Sequence, residues 1–259
     1  MLDVDIEDPA LDGGVAHLYS GGADSSLAAC RLAQVFPAVH LNTFDRFGFL
    51  VASRFPTVHF ERMRQRFPQT RFIHRVIPAS RFYDEVESYR YWGCLRRHGL
   101  LVLNTCGHCK VALHWRNLVF CLQNGIRYAS DGAVMNAEEF AEQNPRILMT
   151  ELEDLYAHFG IKLLHPSYEK GLSTEGTLHD LGITSQRRIK MTTKDLQVVC
   201  TQHVLFGMMM RVILTRLSFP EYEAAARAYL HGKLEHIKET TSEFLAKPGE
   251  DTLVARLLG

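Results

Sequence analysis

The chain has no surplus of charge. Lys plus Arg and Asp plus Glu number 29 each among 259 residues, so the formal net charge is zero, and no global field is present to hold a polyanion by charge alone. Long apolar runs are also lacking. The longest, Val204–Met210, is interrupted by Gly207 and followed by Arg211, well short of the ~20 residues that cross a bilayer. The first residues are acidic and lack the positively charged start and apolar stretch of a secretory signal, so a reducing cytoplasm is the expected compartment. There, the six cysteines (Cys30, Cys94, Cys106, Cys109, Cys121 and Cys200) point to buried thiols, metal ligands or redox groups rather than to a disulfide framework. No internal repeat or low-complexity segment is visible. With 46% apolar and 22% charged residues, a disordered chain and a collagen-like fibre are excluded.

The pattern of apolar residues predicts a strand at Val15–Tyr19, a helix at Ser25–Phe36, a strand at Ala38–Phe44, a helix at Val51–Phe67 and a strand at Thr70–Val76. Such alternation argues a parallel sheet with helices on both faces. Further along, Lys110–Gln123 reads as a helix, Arg127–Ser130 as a buried strand and Pro145–Phe159 as a helix. Helices are also expected at Thr174–Leu181, Asp195–Leu217, Pro220–Gly232 and Lys233–Ala246. The expected organisation is an acidic lead over residues 1–14, an α/β domain over 15–165 and a mainly helical region over 166–259.

The most informative stretch is Ser20-Gly21-Gly22-Ala23-Asp24-Ser25-Ser26, after the first strand and at the start of the first helix. Two glycines let backbone N–H groups approach an anion. Hydroxyls at Ser20, Ser25 and Ser26 add donors, and the helix N-terminus adds partial positive charge. Asp24 does not attract phosphate, and makes sense as a magnesium ligand or as an acceptor that holds the loop.

These residues resemble the PP-loop of the N-type ATP pyrophosphatase superfamily. The resemblance implies a doubly wound α/β sheet of the adenine nucleotide alpha hydrolase kind, which binds ATP with Mg2+, adenylates a carbonyl or carboxyl oxygen and leaves pyrophosphate in the loop. No Gly-Lys-Ser/Thr triplet of a Walker loop is present. The resemblance further implies that the end of the second strand, with Thr43 and Phe44, meets the adenine largely through main chain. It also places the turn at Asp131 and Gly132 beside the nucleotide. Ala129-Ser130-Asp131-Gly132-Ala133-Val134-Met135-Asn136 resembles the Asp-Gly-Thr-Asn turn of LarE-type sulfur transferases and synthetases, departing at Ala133 and carrying two extra residues before Asn136. Glu138 and Glu139 stand where acidic residues often follow.

Cys106-Gly107-His108-Cys109-Lys110 directs two thiols to one point, the spacing used for zinc and for iron–sulfur clusters. Three readings stay open. In the first, Cys106, Cys109 and Cys200 hold a [4Fe-4S] cluster with one open iron; this resembles the tRNA thiolases whose CxxC pair immediately precedes a helix. In the second, Cys94 joins them in a structural Zn2+ site, and the protein is an adenylating amide or nitrogen-transfer ligase. In the third, the CxxC is a redox pair or carries a persulfide. The first implies an ATP-dependent sulfurtransferase that needs a sulfur donor, with Asp24 and Lys110 as catalytic residues; Lys110 would neutralise charge on ATP or on departing pyrophosphate. A non-catalytic nucleotide-binding regulator is the alternative from another class. Cys30 and Cys121 read as core residues.

Two basic clusters, Arg96-Arg97-His98 among Tyr89, Tyr91 and Trp92, and Arg187-Arg188-Ile189-Lys190 with Lys194, suit phosphate backbones and stacked bases. Zero net charge discounts a large RNA footprint, so tRNA and a small-molecule or nucleobase acceptor are both expected partners. Met208-Met209-Met210 reads as packing. The last helices have one apolar stripe each, to be covered by the sheet or by a homodimer partner, and Glu223/Arg227 and Glu235/Glu239 read as ordinary surface residues.

Overall fold

The computed structural model describes residues 13–46, 57–135, 145–185 and 202–259. Its centre is a parallel sheet of β1 (Val15–Leu18), β2 (Ala38–Asp45), β3 (Arg71–Pro78), β4 (Tyr128–Ser130) and β5 (Lys162–Leu164), in the order β3-β2-β1-β4-β5. The register places Val15 opposite Val39 on one side and Tyr128 on the other. The chain builds outward from β1 to β3, then crosses over to place β4 on the other side of β1. The order therefore reverses between β1 and β4. In an open parallel sheet the crevice at the carboxyl ends of such a strand pair is where ligands bind.

Helices cover both faces, as a parallel sheet requires. The helices are α1 (Ala23–Leu32), α2 (Thr57–Arg66), α3 (Ser80–Ser88), α4 (Tyr91–His98), α5 (Thr105–Asn124), α6 (Thr150–His158), α7 (Thr174–Asp180), α8 (Gln202–Leu214), α9 (Phe219–Ala246) and α10 (Leu253–Leu258). On one face, Val15, Val39 and Leu41 pack with Leu27, Cys30, Met63 and Leu178 of α1, α2 and α7. On the other, Ala16, Phe44 and Ala129 pack with Val111, Trp115 and Leu118 of α5, and with residues of α3, α6 and α9. Alternate residues of one strand thus enter different cores, the two-residue period of a strand buried on both sides.

Helix α5 is the axis of the second core. Trp115 is fully buried, donates from its indole N–H to Thr241 Oγ1 (2.9 Å) and meets Phe82 edge-on at 5.0 Å. Asn117 ties the helix to the sheet: Asn42 Nδ2 donates to its Oδ1 at 2.9 Å, and its own Nδ2 donates to the Ala16 carbonyl at 3.4 Å. Residues of α9 and α10 share this core with α5, so the C-terminal helices close the same face.

Several expected boundaries move. The segment predicted as two helices, Pro220–Gly232 and Lys233–Ala246, is one helix of 28 residues. Its buried Tyr222, Ala226, Tyr229, Lys233, Ile237 and Thr241 run as one stripe through Gly232, and that packing outweighs the roughly 1 kcal/mol cost of an internal glycine. The strand β5 was not expected, because its three residues are too short for a period. A π-type turn at Pro145–Met149 precedes α6 where a single helix is predicted. Residues 51–56 and 195–201 of two predicted helices lie outside the described residues.

Candidate nucleotide and thiol site

The loop between β1 and α1 is closed by its own hydroxyls. Ser20 Oγ and Ser25 Oγ are 3.0 Å apart, Ser25 Oγ donates to the Gly22 carbonyl at 3.1 Å, and the Gly22 N–H meets Ser20 Oγ at 3.3 Å. Gly21 has φ +78°, a left-handed conformation that a side chain disfavours. Gly22 is the N-cap of α1. The helix start, with the partial positive charge of its first N–H groups, opens at the carboxyl edge of the sheet beside the β1–β4 reversal.

Histidines brace this loop from two sides. His17, on β1 and fully buried, lies 2.9 Å from the Ser25 carbonyl through Nε2 and 2.6 Å from Ser130 Oγ through Nδ1. A carbonyl only accepts, so Nε2 carries the hydrogen and the Ser130 hydroxyl donates to Nδ1. Burial pushes the His17 pKa down to about 4, so the ring is neutral. From α2, His59 Nδ1 sits 3.1 Å from the Gly21 carbonyl and 3.0 Å from Ser26 Oγ. Ser26 is fully buried. Its hydroxyl therefore supports the loop from beneath and does not reach the open side, unlike the donor role expected for it.

Thr43, at the end of β2, is likewise committed to the scaffold. Its hydroxyl donates to the Tyr19 carbonyl at 2.7 Å and lies 2.9 Å from His74 Nε2. Phe44 points the other way, into the core that also contains Cys106 and Cys109. Asp24 lines a small open cavity of about 260 Å³ with Ser173, Thr174 and Glu175. Burial raises its pKa, a Thr174 hydrogen bond opposes this, and the nearby Glu175 charge adds to it.

Asp131 is the centre of a cluster that the sequence did not reveal. It is 1% exposed and stands at the end of β4. One oxygen, Oδ1, accepts from His165 Nδ1 at 2.7 Å and from the Ala133 N–H at 3.1 Å. The other, Oδ2, pairs with the Lys110 ammonium, and His114 Nε2 lies 3.3 Å away without hydrogen-bond alignment. Burial alone would raise the Asp131 pKa, but the His165 and Lys110 charges, the bond from His165 and the nearby His114 ring hold it well below the usual carboxylate range. Burial would lower the His165 pKa, but Asp131 raises it to about 9, with help from Glu153. Burial, reinforced by Lys110, pushes His114 down to about 4.

Gly132 follows at once and abuts α1. An ideal Cβ there would lie 2.8 Å from both Cα and N of Ser25. The two turns expected to flank a nucleotide are thus in backbone contact. Lys110 is drawn into this contact rather than left facing solvent, since it is held on Asp131.

The thiols sit at the start of α5. The sequence placed the CxxC before a helix; the structure places it in the first turn, with Asn104 as the N-cap accepting from the Gly107 N–H at 2.9 Å. Asn104 favours this position because its side chain replaces a missing helical acceptor. Cys106 and Cys109 are each 8% exposed and one turn apart in the first turn of α5, within the apolar core that α5 shares with α3 and α9. Cys94 is half-buried on α4, with its Sγ 4.0 Å from the Tyr89 carbonyl. Cys30 and Cys121 are fully buried, and burial raises both thiol pKa values, Cys30 to about 12. Cys200, Asn136, Glu138, Glu139 and the 187–194 basic cluster lie outside the described residues. Among the described residues no three His, Cys, Asp or Glu side chains are grouped so as to hold a metal.

Other expected features are altered. Arg227 is on the surface as expected, where it pairs with Glu151 at 2.8 Å, and His231 joins the same carboxylate at 2.8 Å. Tyr89 stacks on His236 at 3.6 Å, while Trp92 is 73% exposed. Met208 faces outward and Met210 is buried. No helix among the described residues is long and apolar enough to cross a membrane. No family model matches the chain, and no curated protein matches it.

Proposed function

We propose that the chain is a PP-loop ATP pyrophosphatase acting as a sulfurtransferase. ATP would lie across the carboxyl edge of the sheet with its phosphates on Ser20–Ser26, and the acceptor oxygen would be adenylated with release of pyrophosphate. One observation carries the reading: the Ser-Gly-Gly loop and the Asp131-Gly132 turn meet at the strand reversal, and the helix that starts with both thiols sends its Lys110 into that meeting point.

The roles follow from placement. Gly21, Gly22 and the first N–H groups of α1 would cradle phosphate. Asp24, raised in pKa and facing Glu175 across an open cavity, suits a magnesium ligand, because a divalent cation relieves the repulsion of two carboxylates. Adenylation would replace a poor oxygen leaving group by AMP, with Lys110 and the helix N-terminus balancing negative charge that develops on the phosphates.

The thiol pair also fits a metal cofactor. Cys106 and Cys109 are adjacent, nearly buried and at a helix N-terminus, the setting in which thiolates form and ligate. With Cys200 as a third ligand they would hold a [4Fe-4S] cluster, which when bound supplies the sulfur chemistry. The protein's own part is to keep the thiol end of α5 fixed relative to the phosphate loop.

The test is product analysis with ATP, magnesium and anaerobically purified protein. AMP plus pyrophosphate supports the reading, and ADP plus phosphate contradicts it. Brown protein with about four iron per chain supports sulfur transfer, whereas colourless protein with stoichiometric zinc supports a ligase. Parallel assays with tRNA and with small carboxylates identify the acceptor.

A further inference from the structure

The loop proposed to bind the triphosphate holds no cation. Ser20 to Ser26 contains no Lys, Arg or His, and its one charged side chain is Asp24. ATP brings several negative charges to that place, and what magnesium leaves unbalanced must be met by neighbouring elements. The Asp131 cluster is adjacent on both sides: Ser130 bonds to His17, which bonds to Ser25, and Gly132 abuts Ser25 directly.

The charge state of the cluster is set by its geometry. Asp131 faces two cations, Lys110 on one oxygen and His165 on the other. The neighbouring rings, His17 and His114, are neutral at physiological pH. Two cations on one buried carboxylate leave an excess of one positive charge beside the Ser25 end of the loop. Glu153 of α6 faces the far side of the His165 ring, 3.3 Å from Nε2, but is 47% exposed and screened by water. From α5, Lys110 and His114 face the ring's Asp131 side. The groove along the open edge of β5 adds Arg31, Lys162 and Glu169, with Arg31 paired to Glu169 at 2.9 Å.

Resting on the nucleotide-site reading above, we propose that His165 is a positioning residue for the triphosphate: by sharing Asp131 with Lys110 it keeps one positive charge in excess beside the Ser25 end of the loop, and that charge holds the phosphates. Without a charged His165, Lys110 and Asp131 neutralise each other and the protein offers the phosphates no net positive side-chain charge from this cluster. The effect is confined to the phosphate end of the ligand; adenosine does not sense it. It also has a defined pH dependence. His165 is charged below about 9 and loses its proton above, so phosphate-dependent affinity falls as pH rises through that value.

Calorimetric titration of the 259-residue chain with MgATP and with adenosine, at pH 7.5 and 9.5, tests the assignment. His165→Gln is expected to weaken MgATP about tenfold at pH 7.5, from the loss of one partly screened charge, to leave adenosine unchanged and to flatten the pH dependence. His165→Arg, which carries a permanent charge, is expected to restore affinity at both pH values. Wild-type affinity in His165→Gln, or failure of His165→Arg to restore it, overturns the assignment. Should His165→Gln fail to fold, the wild-type protein decides: an MgATP-to-adenosine affinity ratio that is the same at pH 7.5 and 9.5 overturns it. Absence of MgATP binding to the wild-type protein at either pH overturns the nucleotide-site reading itself, and the proposal with it.

Discussion

Gly132→Ala isolates the contact on which the site depends. The added methyl would sit 2.8 Å from Cα and N of Ser25 and 3.2 Å from the Asp24 carbonyl carbon. Carbon atoms not bonded to each other rest at about 3.5–4.0 Å, so the two turns must part by roughly 1 Å. All three contacts are backbone, and no side-chain rotation relieves them. Overpacking of this kind costs about 1–3 kcal/mol. At about 2 kcal/mol, with a urea slope of about 3 kcal/mol/M for a chain of this size, the unfolding midpoint falls by roughly 0.7 M. Activity should suffer more than stability, because a shift of about 1 Å in reacting groups costs on the order of a hundredfold. Gly232→Ala is the control. Its methyl meets nothing within 4 Å inside α9, so it should stabilise by about 1 kcal/mol. Urea unfolding and a pyrophosphate-release assay read both variants. A Gly132→Ala protein within about 0.5 kcal/mol of wild type, with unchanged pyrophosphate release, would refute the backbone contact between the Asp131 turn and α1.

Asp24→Ala should abolish pyrophosphate release while circular dichroism and the urea midpoint stay near wild type, since the side chain lines an open cavity. Cys106→Ala, Cys109→Ala and Cys200→Ala should each lose iron and activity, whereas Cys94→Ala should keep both; zinc lost from Cys94→Ala would favour the four-thiol site instead. Cys30→Ala and Cys121→Ala should cost only about 1 kcal/mol of packing energy. Stability should fall steeply on the acid side. His17 and His114 are held near 4 and His108 near 3, each below its unfolded value of 6.5, so their stabilisation is complete above 6.5 and is lost as pH falls through the folded values. Near pH 5 the unfolded chain binds close to three more protons, a slope of up to about 4 kcal/mol per pH unit, which lessens towards pH 4 as His17 and His114 become protonated in the folded state. Urea midpoints measured at pH 7, 6 and 5 test this, and equal midpoints at pH 7 and 5 would contradict the neutral buried histidines.

The sheet was largely legible because each long strand carries its period. Val39 and Leu41 go to one core and Phe44 to the other, and the β1 to β3 alternation with helices leaves few topologies. What failed was short or masked by context. The three residues of β5 (Lys162–Leu164) have no period to detect, and Gly232 looked like a break although the buried stripe of α9 runs straight through it. The glycine turn after β1 was legible for a local reason, since glycine at a φ of +78° leaves a compositional trace. The Asp131 cluster leaves none. His17, Lys110, His114, Asp131 and His165 come from β1, α5 and the ends of β4 and β5, and only the strand order brings them together. The available signal was a polar residue inside an apolar strand, His17 in Val-Ala-His-Leu. A buried histidine must find partners, and these lead to Ser130 and so to Asp131.

The placement of α5 fixes the thiol-bearing turn relative to the Ser-Gly-Gly loop. Lys110, His114 and Asn117 follow one another at four- and three-residue spacing and so share a face. That face meets Asp131 twice and then Asn42 and the Ala16 carbonyl. The helix is thus fixed to β4, β2 and β1 over two turns, and the turn just before these contacts carries Cys106 and Cys109. With Trp115 buried against Phe82 and Thr241 on the same helix, α5 has no freedom to slide without breaking buried polar bonds, each costing about 1–3 kcal/mol to leave unmade. The distance between the thiols and the Ser-Gly-Gly loop is therefore a property of one rigid helix and not of a domain closure.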